Sequence, residues 1–110
     1  KDINGYTFIA SVMSDGVSGD DLRKIAIDLR AQHSNSVVAL ISNNDGKPVL
    51  VVAVSDEARA KGVKAGALVK IGSTVLGGGG GGKDDFAQGG GTNPGSSLDA
   101  IAAISQSLLG

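Results

Sequence analysis

The sequence predicts an α/β fold, with an α+β arrangement as the alternative, in which helices cover a small mixed β-sheet. Two runs rich in β-branched residues, at positions 36–41 and 49–54, lack polar alternation, as strands covered on both faces do. Capping signals followed by apolar residues at helical spacing flank these runs. The 110 residues suit one domain, which we expect to span positions 1–110.

The first half of the chain carries a local signal for each element. Residues 6–12 alternate larger apolar with smaller side chains, which predicts a half-buried strand. Ser18, three residues before Asp21, predicts the N-cap of an amphipathic helix. Residues 43–46, Asn-Asn-Asp-Gly, tolerate positive φ and predict a hairpin between the two buried strands. Residues 56–60 predict one short helical turn.

Two longer helices are predicted in the second half, separated by a glycine-rich loop. Residues 63–76 have apolar side chains at helical spacing but include Gly66 and Gly72. Each glycine costs a helix about 1 kcal/mol relative to alanine, so we expect another surface to approach closely there. After the glycine-rich loop, Ser96 and Asp99 repeat the capping pattern and predict a terminal helix.

Composition excludes several classes of protein. Hydrophobic residues make up 41% and charged residues 19%, which excludes disorder over the whole chain. The net charge of -1 excludes a polycation that coats nucleic acid, so any such binding needs a local patch. The chain lacks cysteine, a signal-peptide pattern and any apolar stretch of about 18 residues that could span a bilayer. We therefore expect a cytoplasmic protein without membrane contact.

No catalytic or metal-binding constellation is predicted. His33 is the sole histidine, and without a second histidine or a cysteine it cannot complete a metal site of the usual kind. A nucleophilic serine would need an oriented base, and no motif supplies one. Lys83 follows Gly82 as in nucleotide phosphate loops, but Asp84 stands where such loops need a hydroxyl to hold Mg²⁺.

The glycine-rich segment is the strongest functional signal. Six glycines at positions 77–82 and three more at 89–91 are expensive in chain entropy. Such bare backbone serves either an anion-binding concavity of consecutive N–H groups or close approach to another surface; an inert linker is the alternative. Residues 58–83 contain five basic and no acidic residues, so lysines and amides together predict a seat for phosphodiester oxygens.

Residues 77–91, Gly-Gly-Gly-Gly-Gly-Gly-Lys-Asp-Asp-Phe-Ala-Gln-Gly-Gly-Gly, resemble the signature of the C-terminal DHHA1 domain of alanyl-tRNA synthetases, also called C-Ala. Residues 61–70, Lys-Gly-Val-Lys-Ala-Gly-Ala-Leu-Val-Lys, are similar to that family's approach to the motif. The order of predicted elements fits the family over nearly the whole chain, and the character of the sequence looks bacterial.

The resemblance implies a tRNA-binding domain, without an active site of its own, that docks on the tRNA elbow and helps the aminoacylation and editing centres to act on one tRNA. Carried over by position, the implied RNA-binding residues are Gly77, Gly78, Gly79, Gly80, Gly81, Gly82, Lys83, Gln88, Gly89, Gly90, Gly91, Lys64 and Lys70. The fragment needs no cofactor and no metal, whereas ATP, Mg²⁺ and Zn²⁺ are implied for the parent ligase. Implied partners are alanine-specific tRNA and the other synthetase domains, with a homodimer left open.

Two alternatives stay open. In the related domain of DHH phosphoesterases, a shorter glycine motif followed by histidine holds the end of a nucleic-acid substrate; here Lys83 follows Gly82 and His33 is far away in the sequence. The third interpretation is a protein-interaction or oligomerisation module whose glycines let helices pack closely. It predicts no salt-dependent binding of RNA.

Overall fold

The computed structural model of the chain describes residues 2–3, 5–13 and 15–109. Its strands form one sheet: β1 (Asp2–Ile3), β2 (Tyr6–Val12), β3 (Ser36–Asn44), β4 (Lys47–Val54), β5 (Gly79–Gly82) and β6 (Phe86–Gly90). Its α-helices are α1 (Gly19–Gln32), α2 (Asp56–Ala60), α3 (Ala65–Val75) and α4 (Ser97–Leu109). The predicted strands and helices are all present, whereas β1, β5 and β6 are strands that the sequence pattern did not indicate.

The sheet is mixed, in the order β1-β2-β3-β4-β6-β5. Among the described strands only the β2 and β3 pair is parallel, since α1 connects these strands, and the other neighbours are antiparallel. The predicted hairpin between β3 and β4 is confirmed: Asp45 and Gly46 have φ values of 53° and 76° at its turn. This order places β4 inside the sheet and β5 at its edge.

Helices cover both faces of the sheet, which confirms the α/β prediction. On one face α1 packs on side chains of β3 and β4; the buried residues there are Leu22, Ala26, Val38, Leu40, Val51 and Ala53. On the other face α3 and α4 cover the alternate residues of the same strands, and their buried core includes Val37, Ile41, Leu50, Val52, Val69, Leu76 and Ile104. Because β3 and β4 are covered twice, their sequences lack polar alternation.

The capping prediction holds for α1 but not for α4. Ser18 has extended backbone, and its Oγ accepts a hydrogen bond of 3.1 Å from the N–H of Asp21. The predicted cap at Ser96 is wrong, because a 3₁₀ turn at Pro94–Ser96 leads directly into α4. The hydroxyl of Ser97, the next residue, donates to the carbonyl of Pro94 at 3.1 Å instead.

The close approach predicted at the two glycines of α3 is confirmed. A Cβ on Gly72 would lie 2.6 Å from Leu50 Cδ2 and 3.0 Å from Ile104 Cδ1, so this glycine lets α3 pack against both β4 and α4. A Cβ on Gly66 would lie 3.1 Å from the carbonyl oxygen of Gly82. The start of α3 therefore lies against the edge strand β5.

Candidate functional site

The glycine-rich segment is a β-hairpin, not the loop that the sequence predicts. Residues 79–82 form β5, which pairs in antiparallel register with β6, and the N–H of Lys83 donates to Phe86 O at 3.0 Å across the turn. β5 is the edge of the sheet, and all four of its glycines are exposed. Ordered pairing excludes the inert-linker alternative for these residues.

The hairpin also rules out an anion-binding concavity of consecutive amides. In an extended strand successive N–H groups point to opposite sides, so they do not converge on one anion. Just before β5 the amides are already engaged inside the chain, since Gly77 N donates to Thr74 O at 3.1 Å and Gly78 N to Ser73 O at 2.9 Å. Of the two uses considered for bare backbone, close approach is the one that the geometry supports.

Alternate glycines of the hairpin are needed for packing within the chain. A Cβ on Gly80 would lie 2.7 Å from Gln88 O and 3.0 Å from Val69 Cγ1 of α3. A Cβ on Gly78 or Gly82 would meet neighbouring backbone atoms at less than 3.0 Å. These positions tolerate no side chain because β5 lies directly against β6 and α3.

The glycines at positions 89–91 are explained in the same way. A Cβ on Gly89 would lie 2.8 Å from Val69 Cγ1, and a Cβ on Gly90 would lie 2.7 Å from Pro48 O. A Cβ on Gly91 would approach the Leu76 carbonyl carbon to 2.5 Å. The bare backbone of this second run is therefore turned towards the protein itself.

Gly79 and Gly81 differ from their neighbours, since a Cβ at either position would meet no atom within 4 Å. Both face the α1 side of the sheet, opposite to Gly80, because successive residues of a strand alternate between faces. Gln88, the cross-strand partner of Gly81, confirms this side: its Nε2 lies 2.9 Å from the Cβ position of Gly19 at the start of α1.

A groove of about 320 Å³ opens beside Gly81 on the α1 side. We call it the α1-side groove; its lining residues are Arg23, Gly81, Gly82, Lys83, Asp85, Phe86, Ala87 and Gln88. The guanidinium carbon of Arg23 lies 5.3 Å from the centre of the Phe86 ring, which is a cation–π distance. Four of the predicted residues, Gly81, Gly82, Lys83 and Gln88, therefore share this groove with Arg23.

The other two predicted lysines, Lys64 at the N-cap of α3 and Lys70 within it, lie on the other side of β5. Lys64 and Lys70 line a second groove of about 260 Å³, the α3-side groove, with Gly66, Ala67, Gly81, Gly82 and Asp84. The structure thus divides the sequence-predicted site: the lysines of α3 lie on one side of the edge strand, and Lys83 and Gln88 on the other. The sequence could not reveal this division because it follows from the strand's position at the sheet edge.

Main-chain hydrogen bonds hold the turn of the hairpin in place. Ala65 N donates to Asp84 O at 2.9 Å, and Val54 N donates to Asp85 O at 2.9 Å. Arg30 Nη1 donates to the same Asp85 carbonyl at 2.9 Å. Arg30, on α1, therefore positions the turn that carries Lys83, a role that the sequence did not indicate.

A separate polar cavity of about 370 Å³ lies beside the turn, lined by Arg30, Ala31, His33, Ser34, Ser55, Asp56, Glu57, Arg59 and Asp85. Backbone hydrogen bonds, first from its own N–H and then from that of Asn35, lower the pKa of Glu57, so its carboxylate is charged at neutral pH. Because both carboxylates and guanidinium groups line this cavity, it favours no single sign of ligand charge.

Within residues 2–3, 5–13 and 15–109, no group of three His, Cys, Asp or Glu side chains is placed to hold a metal ion. The described helices also include none that is both long and apolar enough to cross a membrane.

The architecture defines the chain's class: a three-layer α/β domain whose mixed sheet ends in a glycine hairpin between two grooves. The profile of the DHHA1 domain matches residues 5–109, and the chain belongs to this family. It is 50% identical over 104 residues to the alanine–tRNA ligase of Acidothermus cellulolyticus, covering 93% of this chain. The chain spans about 12% of the length of that curated relative.

Solved structures agree with this assignment. The crystal structure of the C-Ala domain from Aquifex aeolicus alanyl-tRNA synthetase matches with a TM-score of 0.93 and 32% identity, over 100% of this chain and 97% of the other. A DHH-domain member of the s1p family of ribosomal proteins matches with a TM-score of 0.58 and 18% identity, over 91% of this chain and 25% of that one, which shows the fold alone. The resemblance predicted from residues 77–91 is confirmed.

Proposed function

We propose that this domain binds the elbow of tRNA within an alanine–tRNA ligase, and so helps the ligation and editing centres of that enzyme to act on one alanine-specific tRNA. The observation that carries the proposal is the exposed glycine strand β5, which lies between two grooves that are each lined by cationic side chains. Its relatives are alanine–tRNA ligases, and this name states that they act on tRNA.

The exposed edge strand and the lysines beside it are better suited to bind a phosphodiester backbone than to bind a protein surface. Lys64, Lys70 and Lys83 are exposed, and the one ion pair among the described residues joins Arg59 to Asp56 elsewhere. Their ammonium groups are thus available to phosphates, which position a nucleic acid without reading its sequence. The identity of the tRNA would then be read by other domains.

The chemistry of ligation belongs, in this proposal, to domains outside this chain. ATP, Mg²⁺ and Zn²⁺ would be used there, and the described residues offer no matching metal site. The domain would work in the cytoplasm beside those domains, and a homodimer is compatible with this arrangement.

A phosphoesterase substrate domain is the second candidate, and the fold likeness to a DHH-domain protein favours it. Such a domain would bind the end of a short single strand rather than a folded RNA. The residue after the glycines weakens this interpretation, because Lys83 offers a charge to phosphate but is not the histidine of the phosphoesterase motif.

Titration of the chain with folded tRNA, a single-stranded oligonucleotide and a dinucleotide, each with and without Mn²⁺, separates these functions. We expect the tightest binding for folded tRNA, no requirement for Mn²⁺ and a fall in affinity as salt rises. Preference for short strands would instead support the phosphoesterase interpretation. Absence of binding to all three would contradict both and leave the protein-interaction module.

A further inference from the structure

Gly79 and Gly81 have no packing reason to lack a side chain. Glycine in a strand costs about 0.5–1 kcal/mol relative to alanine. The neighbouring glycines are explained by contacts within the chain, but a Cβ at these two positions would meet nothing within 4 Å, and neither residue has a positive φ. Their bare backbone therefore serves something outside the chain.

The side on which they are bare is the α1 side. Gly80 faces Val69 of α3, so its two neighbours face the opposite layer. Gly81 pairs with Gln88, and Gln88 pairs with Val51 on its other flank, a residue of the core under α1. Hence a ligand that lies flush on the open face of Gly81 enters the α1-side groove, although the backbone of Gly81 also borders the α3-side groove.

The charges of the α1-side groove suit a phosphate. Arg23 and Lys83 line it as cations, and Asp85 is its one carboxylate, so the lining side chains carry a net charge of about +1. Arg23 has no carboxylate partner among the described residues, and its planar group lies over Phe86. An aromatic contact of this kind limits the guanidinium's freedom while its N–H fork can still bind two phosphate oxygens.

We propose that the α1-side groove is a phosphodiester-binding site for RNA, with Arg23 and Lys83 as its phosphate contacts and Gly81 as its side-chain-free floor, which Gly79 extends along the same face of β5. This inference rests on the proposed function and adds to it: the RNA backbone lies on the α1 face of the hairpin, and Arg23 is a binding residue. The lysines of α3 then contact a different stretch of the RNA across the edge.

Binding of folded tRNA to the full chain, measured across a salt series, tests this with Arg23→Gln. Loss of a charge-assisted phosphate contact should weaken binding about tenfold and reduce the slope of log affinity against log salt by about 1. The matched control is Lys24→Gln, the next residue of the same helix, which is exposed but lines neither groove. We expect less than about a twofold change for the control.

Two further variants change the groove without removing a cation. Gly81→Val fills the floor, and we expect it to weaken binding without lowering the unfolding midpoint, because an added Cβ would meet no atom within 4 Å. Asp85→Asn removes the repelling charge but keeps the carbonyl that Val54 N and Arg30 contact. It should tighten binding, which a purely structural role of Asp85 would not do.

The outcomes separate this inference from the function on which it rests. If the unmodified chain does not bind tRNA, the proposed function fails. If it binds, but Arg23→Gln and Gly81→Val bind as tightly as the unmodified chain, the site on the α1 face is overturned while tRNA binding stands. Equal losses for Arg23→Gln and Lys24→Gln would likewise overturn it, because general charge would then explain the effect.

Discussion

Adjacent residues of β5 have different surroundings, although all of them are glycines. Gly80 is enclosed by Gln88 O and Val69 Cγ1, whereas Gly81 opens to solvent on its α1 side. The glycine run therefore has two causes that alternate with the strand period of two. Packing accounts for the positions that face inward, and the proposed contact with RNA would account for those that face outward.

A pair of alanine substitutions tests this alternation at the level of stability. Gly80→Ala forces β5 away from β6 and α3 and should lower the free energy of unfolding by about 1–3 kcal/mol. Gly81→Ala meets no atom within 4 Å and should leave the free energy unchanged or raise it by up to about 1 kcal/mol. Urea denaturation followed by far-UV circular dichroism measures both. Equal destabilisation by the two substitutions would contradict the assignment of faces.

At the scale of elements, two serine caps differ in how much of the fold depends on them. Ser18 is exposed, and its Oγ accepts one N–H at the start of α1. Ser55 is buried at the start of α2, and its Oγ accepts from Ser36 N at 2.8 Å and from Ala58 N at 3.4 Å. The second serine therefore connects strand β3 to α2 as well as capping a helix.

Alanine substitution at each cap should show which of the two serines contributes more to the free energy of unfolding. Ser18→Ala should cost about 1 kcal/mol of unfolding free energy, as exposed N-caps do. Ser55→Ala leaves the buried N–H of Ser36 without its partner and should cost about 2–3 kcal/mol. The control is Ser107→Ala on the exposed side of α4, expected to change little. Thermal or urea unfolding that ranked Ser18 above Ser55 would contradict this account.

The sequence predicted the elements whose signals are carried by side chains. Ser18 and Asp21 marked the start of α1, Asp45 and Gly46 marked the hairpin turn, and β-branched runs marked β3 and β4. In each case local chemistry and tertiary packing favour the same structure. The family resemblance was equally readable, because the glycine motif is a property of the sequence itself.

The glycine hairpin could not be predicted from the same kind of signal. β5 has no side chains, so it has neither apolar alternation nor β-branched residues, and glycine is depleted in strands generally. What makes it a strand is its partner β6, whose Ala87 and Phe86 pack in the two cores. The N–H groups of Ala65 and Gly66 at the start of α3 also hold the turn between the two strands, by donating to Asp84 O and Lys83 O. Arg23 was not predicted to lie beside the hairpin, because this proximity results from the tertiary packing of α1.

At the scale of the whole molecule, the sheet runs from an enclosed centre to a bare edge. β4 pairs with β3 and β6, is covered by helices on both faces, and is fully buried over residues 50–54. β5 pairs on one side only, is exposed throughout, and buries no apolar side chain. Opening β5 thus exposes far less apolar surface than opening β4 does, so the free energies of the two openings should differ widely.

Amide hydrogen exchange in the native state measures this difference. We expect the slowest exchange in β3 and β4, at rates that approach those of global unfolding. Within the hairpin, we expect amides of β5 to exchange faster than amides of β6. Addition of folded tRNA should slow exchange in β5 and at the start of α1, because the RNA covers the α1-side groove, and should leave β4 unchanged beyond the general gain in stability. Protection that appeared along α3 but not along α1 would place the RNA on the wrong face for Arg23. Free-state exchange in β5 as slow as in β4 would mean that the hairpin opens only with the whole domain, and that the glycine edge is as rigid as the core.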